Sequence, residues 1–121
     1  MKISNPTARI GEDLACKYLQ DKKYKIIERN FRKGYGEIDI IAVFENTLVF
    51  AEVKTRTSSS FGTALEAITY FKLKSLIKTA EFYKLLHPNL PNLMRIDAIA
   101  VILNRSMELE EIEHVENISM N

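Results

Sequence analysis

The sequence contains no tryptophan, one cysteine, three prolines and four glycines in 121 residues. A lone Cys16 excludes an internal disulfide framework and a zinc ribbon, and it reads as a small core residue instead. The scarcity of proline and glycine excludes collagen-like and low-complexity chains. No apolar run approaches the roughly 20 residues that a membrane span needs. The opening Met1-Lys2-Ile3-Ser4-Asn5-Pro6 has no apolar stretch behind its lysine, so no secretory signal is expected. The expectation is a cytoplasmic protein with no membrane partner. The remaining composition is that of a globular chain, 46% hydrophobic and 27% charged. The length is close to the commonest for one domain, so a single domain over residues 1–121 is expected.

The net charge of +1 conceals an uneven distribution. Residues 1–36 carry nine bases and four acids, and residues 37–52 carry four acids and no base. Residues 53–95 carry seven bases and two acids, and residues 96–121 one base and six acids. Two basic stretches bracket a short acidic one, the pattern of a phosphate-binding surface around a carboxylate site. Solvated faces with an acidic tail give the same pattern.

Asn5 is a cap residue and Pro6 suits a first helical position, so a helix is expected from there to about Asp21. At 3.6 residues per turn its apolar sector holds Ala8, Gly11, Leu14, Ala15, Cys16, Tyr18 and Leu19. Glu12 is misplaced, pointing into that sector. Strands are expected over Tyr24–Phe31, Glu37–Val43 and Thr47–Thr55, with a turn at Glu45-Asn46. Thr57–Gly62 reads as a loop. A helix follows from about Ala64 to Leu86, with Leu73, Leu76, Ile77, Ala80, Tyr83 and Leu86 as its apolar stripe. Tyr70, Phe71, Phe82 and Tyr83 are assigned to the core. Met94–Leu103 and Glu108–Val115 complete the strands. His87 before Pro88 reads as a helix-end residue, Arg95 and Asp97 as a pair on one strand face, and His114 as a surface residue. The order α-β-β-β-α-β-β predicts an α/β fold, a mixed sheet of four to five strands flanked by helices.

The chemistry gathers in the hairpin of residues 37–55. A turn at Glu45-Asn46 sets Phe44 opposite Thr47, Asp39 opposite Glu52 and Glu37 opposite Lys54. Residues two apart share a face, so all four would project together. Opposed carboxylates with side-chain roots roughly 5 Å apart repel by about 3 kcal/mol at an effective dielectric of about 20. Lys54, a shared proton or a divalent metal can offset that repulsion. Oxygen ligands suit Mg²⁺ or Mn²⁺ rather than zinc. On the metal reading Asp39 and Glu52 hold the ion and Glu12 is an outer ligand. Lys54 orients a water or stabilises phosphate charge. Arg56 and the Thr55–Ser60 loop grip the phosphate backbone, and Arg29, Arg32 and Lys33 are further phosphate candidates. The competing reading is a half-exposed hairpin whose charged residues alternate with apolar ones, with a Glu37–Lys54 pair worth a few tenths of a kcal/mol. A one-residue slip of register would separate Asp39 from Glu52.

Gly36-Glu37-Ile38-Asp39-Ile40-Ile41-Ala42 followed by Val49-Phe50-Ala51-Glu52-Val53-Lys54-Thr55-Arg56 resembles the small bacterial YraN-type family of uncharacterised proteins. Gly11-Glu12, Ala15, Arg29-Asn30, Phe61-Gly62, Glu66-Ala67, Lys72, Ala80, Arg95 and Asp97 extend the resemblance from Gly11 to Val101. The family is similar in turn to the restriction-endonuclease-like nucleases with a PD-(D/E)xK motif, archaeal Holliday-junction resolvases among them. The resemblance implies that Asp39, Glu52 and Lys54 are the catalytic set and that Glu12 is the extra glutamate on the first helix of resolvases. It favours a site-facing Lys72. Glu37 has no fixed role in the motif and is a supporting partner of Lys54 or Arg56. Ile38 stands where the motif has proline.

The resulting expectation is a metal-dependent endonuclease that hydrolyses DNA phosphodiesters, with branched DNA as one candidate substrate and no small-molecule cofactor. The alternative is a nucleic-acid-binding protein that keeps the fold without the chemistry. Paired cuts in two strands would need a homodimer; a monomer would nick or trim single strands.

Overall fold

A computed structural model describes residues 5–57 and 65–119. In chain order the elements are α1 (Pro6–Asp21), β1 (Lys25–Lys33), β2 (Gly36–Phe44), β3 (Thr47–Arg56), a 3-10 turn (Leu65–Ala67), α2 (Tyr70–Leu86), β4 (Leu93–Leu103) and β5 (Leu109–Val115). The strands form one sheet in the order β1-β2-β3-β4-β5. β3 and β4 run parallel and every other neighbouring pair is antiparallel. A parallel pair requires a crossover connection, and α2 lies in it. The expected α/β class, a mixed sheet flanked by helices, is therefore the observed one. No helix among the described residues is long and apolar enough to cross a membrane.

α1 begins where its cap chemistry directs. Asn5 Oδ1 accepts from the Thr7 and Ala8 N–H groups at 3.0 and 3.4 Å, with Pro6 at the first position. Its buried Gly11, Ala15, Cys16 and Leu19 lie on one face of the sheet, where Ala15, Cys16 and Leu19 join a core with Ile40, Ala42, Val49, Ala51, Ile99 and Val101. α2 covers the other face, setting Leu76, Ala80 and Tyr83 against Ile38, Ile41, Leu48, Phe50 and Ile96. The sheet is buried on both sides, which explains the near-continuous apolar run of β4 from Ala98 to Leu103.

Several expectations need correction or restriction. Ser58–Ala64, which hold most of the expected loop and the expected helix start, lie outside the described residues. The described helix begins at Tyr70, where Thr69 caps it by accepting the Lys72 N–H at 3.1 Å. Tyr83 is buried as expected and Phe82 half-buried, but Tyr70 and Phe71 are 67% and 79% exposed. On the helical wheel both fall away from the buried Leu76–Ala80–Tyr83 stripe. Leu86, the last of that stripe, is also exposed.

His114 is not a surface residue. Its side chain is 5% exposed, held between Asp97 Oδ2 at 2.8 Å and the Tyr18 hydroxyl at 3.1 Å. Arg95 and Asp97 pair as expected, with Nε–Oδ1 at 3.0 Å and Nη2–Oδ2 at 3.2 Å. His87 caps the end of α2 and its ring nitrogen contacts Tyr83 O at 2.9 Å.

Candidate active site

The β2–β3 ladder has the expected register, from Phe44↔Thr47 to Ile40↔Ala51. Its end at Ile40↔Ala51 creates the site. Ile40 packs under α1, whereas Ile38 packs under α2. Residues two apart on a regular strand share a face, so β2 turns over at Asp39. β1 turns with it: Arg29 reaches the α1 carboxylates, Phe31 joins the α2 cluster, and Asn30 between them takes φ 55°. Asparagine tolerates this left-handed conformation better than most residues. β3 keeps strict alternation and stays paired with β4 as far as Arg56↔Ile102.

Asp39 consequently enters the gap between β2 and β3. Its Oδ2 accepts the Val53 N–H at 2.7 Å, supplying a partner to a backbone donor beyond the end of the β2–β3 ladder. The expectation that Glu37, Asp39, Glu52 and Lys54 share one sheet face is corrected by this switch. Glu52 and Lys54 share the α2 side by alternation. Glu37, next to Ile38, projects to the other side and accepts from Arg32 Nε at 3.0 Å. The groups meet because the sheet opens between them.

Both central acids are buried, Asp39 at 9% and Glu52 at 4% exposure. Burial pushes the Asp39 carboxyl up to about 8; the charge of Glu52 adds to this, with smaller contributions from Glu12 and Glu37, against the Val53 N–H. Lys54 Nζ and Lys72 Nζ lie 3.5 and 3.6 Å from the same oxygen, Glu52 Oε2. Both nearby ammonium groups thus serve Glu52, and among the described residues no ion pair reaches Asp39. Burial also raises the Glu12 carboxyl, opposed by the Arg29 guanidinium and reinforced by Glu37.

An open cleft of about 660 Å³ brings together Glu12, Arg29, Glu37, Asp39, Glu52, Lys54 and Lys72. Arg29 is engaged with Asp13 at 2.8 Å and Glu12 at 3.8 Å, tying β1 to α1. Arg56, at the end of β3, does not line the cleft, although alternation puts it on the face of Glu52 and Lys54. Arg32, Asn30, Asn5 and Arg9 line the cleft as well. Asn30 was detectable in principle, since asparagine is a poor strand residue and a good left-handed one.

Gly11 sets how close α1 comes. A Cβ there would fall 1.8 Å from Thr55 Oγ1, so only glycine permits the contact that brings Glu12 to the cleft. Among the described residues no three acid, histidine or cysteine side chains converge as a ready-made metal cage. Asp39 and Glu52 form a pair, with Glu12 on the same cleft wall from α1. Two carboxylates in an open cleft match how Mg²⁺ is commonly held, by one or two carboxylates, several waters and substrate phosphate. A dication would also offset the burial and the Glu52 charge that together raise the Asp39 carboxyl.

Fold and cleft together define an α/β protein whose mixed sheet parts around a buried Asp–Glu pair flanked by two lysines. The family model described as "Uncharacterised protein family UPF0102" matches residues 11–101, and the chain belongs to that family. The resemblance to the YraN-type family holds on this finding. The chain is 43% identical to a UPF0102 protein of Caldanaerobacter subterraneus subsp. tengcongensis over 119 residues, 96% of this chain and 97% of the relative. It is 43% identical to one from Geobacter metallireducens over 107 residues, 88% and 86% of the two chains. It is 40% identical to one from Chlorobium phaeobacteroides over 122 residues, 98% and 97% of the two chains.

Proposed function

We propose that this protein is a Mg²⁺- or Mn²⁺-dependent endonuclease that hydrolyses DNA phosphodiester bonds, with branched DNA among its candidate substrates. The observation that carries the reading is the buried Asp39–Glu52 pair, opened to solvent by the parting of β2 and β3 and flanked by Lys54 and Lys72. A buried carboxyl with a strongly raised value in an open cleft is the signature of a functional site.

Asp39 and Glu52 would hold the ion, with Glu12 reaching it through water. A bound divalent ion supplies Lewis-acid polarisation of a phosphate oxygen and a water of lowered pKa. The Val53 N–H fixes the orientation of the Asp39 carboxylate. Lys54 and Lys72 balance Glu52 and present ammonium donors to an entering phosphate. In the reaction water oxygen bonds to phosphorus, the bond from phosphorus to the leaving sugar oxygen breaks, and that oxygen takes a proton. No covalent enzyme intermediate forms.

The test is cleavage of duplex, single-stranded and four-way-junction DNA with Mg²⁺ or Mn²⁺. Cleavage should disappear with EDTA and in Asp39→Asn, Glu52→Ala and Lys54→Ala. If wild type and Asp39→Asn bind DNA and are equally inert on every substrate, the protein is a nucleic-acid-binding module without the chemistry.

A further inference from the structure

A single exposed aromatic ring needs no account. Here three share a surface with lysines. Tyr70 and Phe71 open α2, and Tyr35, 60% exposed, tops the β1–β2 turn. Tyr70 and Phe71 meet edge to face, with centroids 5.7 Å apart at 71°. Lys74 Nζ lies 5.2 Å from the centre of the Tyr70 ring, and Lys78 Nζ lies 5.5 Å from that of Tyr35. The Ser75 hydroxyl donates to Tyr35 O at 2.7 Å, fastening the turn to the helix. Tyr70, Lys74 and Lys78 stand four residues apart in one row, ~12 Å of helix axis. The residue after Phe71 is Lys72, whose ammonium lies in the cleft beside Glu52.

Flat rings with ammonium groups beside them match a ligand that offers both a π-face and an anion. An unpaired nucleotide has both. A duplex hides its base faces within the stack and leaves the rings unused. An acidic peptide would use the lysines alone. We infer that the first turns of α2 and the β1–β2 turn form a stacking platform for unpaired nucleotides of single-stranded DNA. Bases stack on Tyr70, Phe71 and Tyr35, Lys74 and Lys78 take phosphates, and Lys72 leads the strand into the cleft. That last clause rests on the nuclease reading; the platform does not. The substrate class that follows is DNA with a single-stranded segment beside the scissile bond.

The absence of tryptophan makes Phe71→Trp a clean reporter. The indole should be quenched by oligodeoxythymidylate of about 16 nucleotides and not by a blunt duplex of equal length. By fluorescence anisotropy, Tyr70→Ala and Phe71→Ala should each lower single-strand affinity about 5-fold or more, the loss expected for one base stack. Tyr70→Phe should restore it, and both rings are exposed, so circular dichroism should report unchanged folding. Equal quenching by duplex, or single-strand affinity indifferent to both rings, overturns the inference. So does a shift in self-association of Tyr70→Ala/Phe71→Ala on sedimentation with DNA affinity unchanged, which would make the surface an interface between copies. Cleavage of duplex by wild type with ring-independent single-strand binding sinks the platform alone. Ring-dependent binding with wild type as inert as Asp39→Asn sinks the nuclease reading alone.

Discussion

Asp39 is held against its own chemistry. Its ordinary value of 3.8 is raised to about 8, by burial first and then by the neighbouring Glu52. Between those values the folded state keeps a proton that the unfolded chain has released. Folding stability therefore falls as pH rises through that window and levels off above it. Asp39→Asn removes the titration while keeping the shape. Its melting temperature should exceed that of wild type at pH 8 and converge with it towards pH 4. Adding Mg²⁺ or Mn²⁺ at pH 8 should raise the wild-type melting temperature, by about 2.7 kcal/mol of stability at a hundredfold excess over Kd, and leave Asp39→Asn where it was. Superimposable pH profiles for the two proteins would refute the electrostatic account. The register that brings Asp39 near Glu52 was legible from the turn position, although the ladder stops at Ile40↔Ala51 before the expected Asp39–Glu52 opposition. The lateral insertion of Asp39 was not, because a face switch depends on Asn30 and Asp39 turning over together on neighbouring strands.

Gly11 and Asp97 hold elements together. Gly11→Ala would drive a methyl into Thr55 and push α1 off β3, an overpacking cost of about 1–3 kcal/mol. Urea denaturation should show that loss, and an unchanged midpoint would mean that α1 re-seats freely. Asp97 fastens β5 and the chain after it to β4. It bonds Arg95 and His114, accepts the Asn117 N–H at 2.9 Å, and sits beside the Ile118 N–H···O Ile96 bond of 2.7 Å. Burial pushes the Asp97 carboxyl up, but its bonds from His114, Arg95 and Asn117 outweigh burial and leave it below 3.8. Its stabilisation is thus present above 3.8 and lost as pH falls through the lowered value. Asp97→Ala, which leaves Arg95 and His114 without their acid, should cost about 3–5 kcal/mol at neutral pH, read by thermal melting. A loss under about 1 kcal/mol would mean that Arg95 finds another acid, Glu116 being 3.8 Å away. The strands and α1 were legible to within two residues at each end, because caps, turns and alternation are local signals. The place of His114 was not: an acidic strand such as Glu108–Val115 reads as a solvent edge, and it is Asp97 on the adjacent strand and Tyr18 on α1 that hold the ring inward.

At the scale of the whole molecule, the described residues form one such cleft. A chain of this length has a radius of gyration of roughly 14 Å, against about 34 Å for one turn of duplex. On the proposed nuclease reading, one copy would address one scissile phosphate at a time. The sheet edges are also of opposite charge: β1 carries Lys25, Arg29, Arg32 and Lys33, and β5 carries Glu110, Glu111 and Glu113. Such charges oppose association of like edges, β1 with β1 or β5 with β5. On the proposed nuclease reading, the basic β1 edge is the side from which a polyanion would be drawn, and the acidic β5 edge the side from which it would be repelled. On supercoiled plasmid, nicked circles should appear first and in proportion to protein concentration. Linear product should follow with a steeper dependence, since two cuts need two clefts. Agarose electrophoresis over a concentration series, with sedimentation to establish the oligomeric state, measures both. Linear DNA formed with no nicked intermediate, at concentrations where the protein sediments as one chain, would mean that a single cleft reaches both strands, and the one-phosphate geometry argued from size would fall.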